Sequence, residues 1–356
     1  MKKNALLLLI MLIVGFTTTY AQNIPQHLSY TQVYDFIDEL VNDGIIEMTT
    51  VCRPYSRTLI AQKLEEAQAN SDKLSQRQQK DLAFYLNDLA LQRNTVPQKF
   101  VKNDAGNINI LNWTDKNKFS LSLLQPSFQY NSSNFKMRIQ PILGMEIIGN
   151  SKGAIINRKW GANLEIDIAK HISIWGSLRD NSYNGNRLKE TEGLRPTDAK
   201  INASKYLNTL PGAEYKEANY GADYSDSRYG IRAYTWWGHI GIEKDNIQWG
   251  DAKHSSIILS GRAPSFPMIT MQAKPCSWFQ FDYFHAWLIS NVIDSTDYFI
   301  EEHYTDTESK IHYRPRSKYM AATMLTFTPV KKLDLSIGNS IVYAEKTVNL
   351  AYFTPF

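Results

Sequence analysis

Leu164-Glu165-Ile166-Asp167-Ile168 decides the fold: three apolar residues alternate with two carboxylates, the two-residue period of a strand with one apolar and one polar face. The period recurs on both sides of this stretch. Phe119, Leu121 and Leu123 alternate with Ser120 and Ser122, and Phe279, Phe281 and Tyr283 alternate with Gln280 and Asp282. Leu333, Leu335, Ile337, Ile341 and Tyr343 share one face, with Asp334 and Ser336 on the other. Related stretches lie at 134–148, 171–179, 227–236 and 317–328. The spacing predicts roughly ten to twelve strands, many of them about 9–12 residues long. That is longer than the ~5–6 residues usual in soluble sheets and matches a tilted strand crossing a bilayer.

Composition agrees. The 356 residues are 43% hydrophobic and 21% charged, with 18 Gly and 13 Pro, which excludes a disordered chain, a collagen-like repeat and a polytopic helical membrane protein. Mean hydropathy is polar at −0.37, yet 20 Tyr, 15 Phe and 8 Trp make the chain 12% aromatic. Such rings suit a membrane–water interface, where the body is half buried and the polar tip stays wet. The soluble rival, a secreted β-sandwich or propeller, uses shorter strands and needs no aromatic girdle, and no repeat of propeller period is present. A formal net charge of +4 is too small and too dispersed for a nucleic-acid partner.

Lys2 and Lys3 precede an apolar run from Ala5 to Phe16, and Thr17 to Ala21 supply a small-residue cleavage site. Residues 1–21 therefore read as a signal peptide. The run is about twelve residues, short of the ~20 that a helical anchor needs. Losing both lysines lowers the formal net charge from +4 to +2.

Residues 22–98 read as a three-helix bundle. Ser29 and Gln32 have capping-box spacing ahead of Val33, Phe36, Ile37 and Leu40, and Gly44 is a natural stop. Pro54 and Ser56 open a second helix with Leu59, Ile60 and Leu64 as its stripe. Ser75 and Gln78 open a third, carrying Leu82, Phe84, Tyr85, Leu86 and Leu89. Residues 99–356 form the barrel region. The fold class is mainly β with an α N-terminal domain.

No GxSxG, HExxH, P-loop or EF-hand spacing occurs, and the seven histidines contain no i, i+4 pair. No catalytic residue, metal site or cofactor is predicted, and the chain does not read as an enzyme. Asp251 and His254 beside Ser255 and Ser256 read as a polar turn or lumen. Asp294, Asp297, Glu301, Glu302, Asp306 and Glu308 match no calcium template and read as a solvated outer loop, as do the polar stretches 180–226 and 293–315. Cys52 and Cys276 fall in different predicted domains, too few for a disulfide framework. Between Trp249 and Pro267 the run carries Pro264 and Pro267, which donate nothing to a ladder, so this segment is expected to leave the wall and fold within or over it.

Three stretches resemble the capsule-assembly (Wzi) family of outer-membrane proteins: QWGD…HSSIILS.RAPSFP (248–267), DFIDELVNDGIIEMTTVCRPYSRTLIAQKLEEA (35–67) and 314–356. A gliding-motility outer-membrane group shares the pattern. The resemblance implies a barrel in the cell outer membrane, plugged from the periplasm by the helical bundle. It also implies a non-catalytic, lectin-like role that retains or organises capsular polysaccharide. In the resembled family more strands follow the AYFTPF-like segment. Because Pro355 also breaks a closing strand that would end at Phe356, the chain reads as a C-terminally truncated member. An open edge is then expected between the strand near Phe119 and the strand ending at Tyr343.

A glycan platform needs exposed rings and nearby hydrogen-bonding groups. Tyr220, Tyr224, Tyr229, Trp236, Trp237, Trp249, His254 and Arg262 are the candidates, each with a girdle role as its rival. The partners expected are capsular or other surface polysaccharide and outer-membrane lipid. The alternatives are a structural part of a surface motility or secretion machine, with protein partners, and a passive channel. A soluble periplasmic enzyme ranks last.

Overall fold

The computed structural model describes residues 24–93, 113–115, 119–122, 127–150, 153–169, 171–185, 214–218, 221–250, 259–261, 263–288, 290, 292–301, 310–330, 333–345 and 347–353. The predicted signal peptide lies outside them. The chain divides into two compact units, Met1–Trp236 with Lys244–Ser265, and Trp237–Glu243 with Phe266–Phe356.

The first unit opens with three helices, α1 (Thr31–Asn42), α2 (Arg57–Ala69) and α3 (Gln76–Asp88). Two of the three predicted starts stand as read. The Ser56 hydroxyl accepts the Leu59 N–H, and Ser75 with Gln78 closes a full capping box. The first differs: Tyr30 caps α1 without a side-chain bond, and the Ser29 hydroxyl accepts from Arg179 instead. Gly44, with φ +68, turns the chain after α1 while Ile45 N–H returns to the Leu40 carbonyl. Leu40, Ile60, Leu64 and Leu86 meet in one apolar cluster fed by all three helices.

The described strands number eighteen, ten of them eight residues or longer. In the first unit β1 (Cys52–Arg53), β11 (Gln248–Trp249) and β12 (Leu259–Ser260) make a small separate sheet. Trp249, Leu259 and Ser260 thus lie outside the large sheet, while residues 251–258 and 262 of the segment expected to leave it fall outside the described residues. Pro267 instead lies within a strand described below. The large antiparallel array runs through β2 (Trp113–Asp115), β3 (Phe119–Ser122), β4 (Ser127–Asn131), β5 (Phe135–Asn150), β6 (Gly153–Ile168), β7 (Ile172–Gly185) and β9 (Gly221–Thr235), with β8 (Glu214–Ala218) on β9. Strand β5 and strand β6 each have 16 residues, β7 has 14 and β9 has 15, longer than expected. Part of 180–226, read as outer loop, is therefore strand.

The polarity of these strands is inverted relative to a soluble sheet. On β5, Ile139, Leu143, Met145 and Ile147 are exposed, Leu143 to 78%, while Lys136 and Arg138 on the other face are buried, Arg138 to 2% exposure. Strand β6 exposes Trp160 and Ile168 and buries Glu165 and Asp167; β7 exposes Ile172 and Leu178 and buries Ser173, Trp175 and Ser177. Strand β9 exposes Tyr229 and Ile231 and buries Asp226, Arg228 and Arg232.

The second unit contains most of β10 (Gly238–Asp245), then β13 (Phe266–Cys276), β14 (Phe279–Leu288), β17 (Lys318–Val330) and β18 (Leu333–Tyr343), antiparallel in the order β10-β13-β14-β17-β18. A separate hairpin pairs β15 (Ile293–Glu301) with β16 (Lys310–Pro315), where sequence suggested a loop. Asp294 and Asp297 pair there with Arg316 and Arg314. On one sheet face, Thr270 donates to Glu243, and Gln272 and Gln280 both donate to Asp282. On the other, Tyr283 and Tyr343 hydroxyls meet the two ring nitrogens of His285 at 3.3 and 2.9 Å, and Phe353 stacks on the imidazole at 4.6 Å. Cys52 and Cys276 form no disulfide with each other. Among the described residues β2 pairs only with β3 and β18 only with β17, and no closed barrel is formed.

Gly161 gives a test of the β6–β7 ladder. A Cβ there would stand 1.9 Å from the Leu178 carbonyl oxygen, whereas one at Gly144 would meet Lys159 Cβ at 3.6 Å. Gly161→Ala is expected to destabilise the first unit by at least ~2 kcal/mol, and Gly144→Ala to stay within about 1 kcal/mol of wild type, measured by denaturant unfolding of the purified protein.

Candidate functional site

The buried face of β5–β9 is too polar to lie bare, and the helices answer it with charge. Asp88 ends α3, and Arg138 of β5 donates to its carboxylate at 2.8 Å and its carbonyl at 3.2 Å. Arg57 of α2 donates to the same two groups at 3.1 Å each, and to the Gln26 side chain at 2.6 Å. The Arg57 Nε stands 3.5 Å from Glu165 on β6, whose other oxygen accepts from Gln92. Two cations at a helix C-terminus also complement the helix dipole. Burial alone raises the Asp88 carboxyl, but Arg138 and Arg57 outweigh it and hold it well below the usual carboxylate range.

A second cluster lies further along the strands. Arg228 of β9 makes a bidentate pair with Asp245, 2.6 Å at both contacts, with both side chains buried. His27 takes the Ser29 N–H on Nδ1 and points Nε2 at Asp226, 3.4 Å away. Burial, with Arg228 nearby, lowers its imidazole to about 4 although Asp226 opposes the shift. Arg179 of β7 donates to the Ser29 hydroxyl at 2.7 Å and lies over the Tyr30 ring at 5.3 Å.

Between these clusters is a cavity of about 440 Å³, within the range of small-molecule sites. It is lined by Arg57, Asp88, Glu165, Trp175, Ser177, Arg179 and Arg228, with the exposed Tyr30 and Phe84 also on its border. Trp175 Nε1, Ser177 Oγ and Arg179 Nε have no hydrogen-bond partner among the described residues. Each such buried group costs about 1–3 kcal/mol. No cluster of metal-ligating side chains occurs among the described residues.

Of the eight residues expected from sequence, the five described do not line this cavity. Tyr220, His254 and Arg262 lie outside the described residues. Tyr224 is buried on one face of β9, and Tyr229, five positions on, is exposed on the opposite face. Trp236 is exposed at the end of one unit and Trp237 begins the other. Trp249 is buried in the small sheet opposite Cys52. The cavity uses Trp175, Ser177 and Arg179 instead. Their signal was an alternation in 171–179 whose polar face carries a tryptophan and an arginine.

The two charge clusters clamp the helices and the Ile24–Val33 segment to the strands, and they predict acid lability in two windows. His27 is kept neutral in the fold, so its contribution is complete above its ordinary value of 6.5 and declines as pH falls toward about 4, by about 3 kcal/mol in all. Asp88 is kept charged, so its share is lost only below the ordinary carboxylate range. Denaturation midpoints measured from pH 7 to pH 4 should fall for wild type and flatten for His27→Gln. Asp88→Asn should cost about 3–5 kcal/mol at pH 7, because buried Arg138 loses its carboxylate partner and Arg57 keeps only Glu165. No protein-family model and no curated protein matches this chain. Among solved structures, the CymD monoaromatic hydrocarbon channel is similar at 12% identity, over 63% of this chain and 68% of that one, with a TM-score of 0.25, a likeness too low to carry an argument.

Proposed function

We propose that this chain is an outer-membrane β protein that binds or organises surface polysaccharide without catalysis, its helices lying on the periplasmic side. The observation that carries the membrane reading is the inverted polarity of β5–β9. Alternate positions expose Leu143, Met145, Ile147, Trp160, Leu178 and Ile231, while Lys136, Arg138, Glu165 and Arg228 on the opposite face are buried. In water that exposed band is an aggregation surface; in lipid it is the favourable face. No helix among the described residues is long and apolar enough to cross a membrane. Strands of 14–16 residues exceed the ~9–11 that a tilted strand needs to cross.

The polysaccharide reading draws on the resemblance to the capsule-assembly family and on the cavity, which combines rings, hydroxyls and guanidinium groups. Packing of α2 and α3 against the polar face, through Arg57, Asp88 and Arg138, weighs against a passive channel.

Two measurements test the proposal. Leu143→Arg should lower stability in lipid bilayers by about 2–4 kcal/mol if this face meets the hydrocarbon, and a change near zero in vesicles sinks the membrane reading. The folded protein in detergent should bind at least one of a panel of acidic and neutral capsular polysaccharides. Absence of binding at millimolar saccharide sinks the glycan reading, and large steady conductance in planar bilayers would replace it with a channel.

A further inference from the structure

Strand β7 turns Trp175, Ser177 and Arg179 to one face, roughly 7 Å apart in succession. All three line the cavity. Trp175 and Ser177 are 4% and 8% exposed, and their polar atoms, with Arg179 Nε, have no hydrogen-bond partner among the described residues. Trp175 and Arg179 supply only donors, and Ser177 either donates or accepts. A ligand that satisfies them must therefore present acceptors.

Charge narrows the chemistry. The lining holds three arginines against two carboxylates, Asp88 and Glu165. Arg57 is spent on both of those, and Arg228 on Asp245. Arg179 is the lining cation with no carboxylate within 4 Å among the described residues; it holds only the Ser29 hydroxyl and the Tyr30 ring. An anion there completes a charge-assisted bond. Tyr30, 42% exposed, adds an aromatic surface suited to sugar C–H groups, a contact that a bare phosphate or sulfate leaves unused.

We propose that this cavity is a saccharide subsite for a uronate-bearing glycan. The carboxylate is received by Arg179, and ring or hydroxyl oxygens by Trp175 and Ser177. This rests on the polysaccharide reading above and gives it a location and a substrate class.

The probe is trigalacturonate, with maltotriose as the neutral comparison, titrated calorimetrically into the detergent-folded protein. Trigalacturonate should bind at least about tenfold tighter than maltotriose. Arg179→Gln should weaken trigalacturonate by about tenfold or more, and Trp175→Phe and Ser177→Ala by about threefold to tenfold each. Ser177→Ala removes a single oxygen, so it keeps the test valid if the larger changes unfold the chain; each variant is checked for a wild-type melting point. Equal binding of trigalacturonate by well-folded variants overturns the subsite and leaves the glycan reading standing. Equal affinity for the two probes overturns the uronate class. Capsular polysaccharide binding without trigalacturonate binding overturns this inference alone, whereas absence of binding by every saccharide overturns both.

Discussion

Asp88 is the group on which the first unit depends. It closes α3 and offers a carboxylate and a carbonyl to two arginines, one from α2 and one from β5. Arg138 is almost wholly buried, and a lone guanidinium in that position would cost several kcal/mol. Without Asp88, Arg138 on β5 loses its carboxylate partner from the helices, and Arg57 keeps only Glu165. An ion pair of this kind adds little net stability over an apolar equivalent. Its stronger effect is geometric, since forked donors accept only a narrow set of helix positions on the strands.

The rest of the architecture follows from which way each face looks. The apolar core of the first unit lies among its helices, where Leu40, Leu64 and Ile60 are nearly inaccessible, and the strands contribute their charged faces to the interior. The second unit shows how polar groups are managed on the opposite kind of face. His285 shares its sheet face with Phe281, Leu325 and Ile337, yet both ring nitrogens meet tyrosine hydroxyls and Phe353 covers the imidazole. A polar ring on an apolar face is thus sealed by its neighbours, which is the economical arrangement wherever water is scarce.

Much of this was legible from sequence, and the limits are physical. Alternation in 164–168 or 333–343 reports which residues share a face, because side chains on a strand have period two. It does not report which face is buried. That depends on what lies across the strand, and Arg138 and Glu165 are inward only because α2 and α3 supply partners. Local signals fared best: Ser56 and Ser75 cap helices as read, since a cap needs only the next three residues. Ser29 failed as a cap because Arg179, 150 positions away, competes for its hydroxyl. The cavity was not legible in the sequence for the same reason. Aromatic content drew the reading to Tyr224, Tyr229 and the tryptophans at 236, 237 and 249, whereas the cavity is assembled by contacts between the Ile24–Val33 segment, the helices and β7.

The cavity and the clamp share side chains, and that has a thermodynamic consequence. Arg57, Asp88 and Glu165 line the cavity while they also attach the helices to β5 and β6. A ligand seated there contacts the helical segment and the strands together, so it binds the assembled unit and not its separated parts. Occupancy therefore raises the stability of the assembly by mass action, in proportion to the logarithm of ligand concentration over Kd. The reverse holds by the same linkage: loosening the clamp, by acid or by loss of Asp88, must weaken the ligand even though Trp175, Ser177 and Arg179 are untouched. A surface reached from both sides in this way makes ligand binding and helix attachment a single equilibrium.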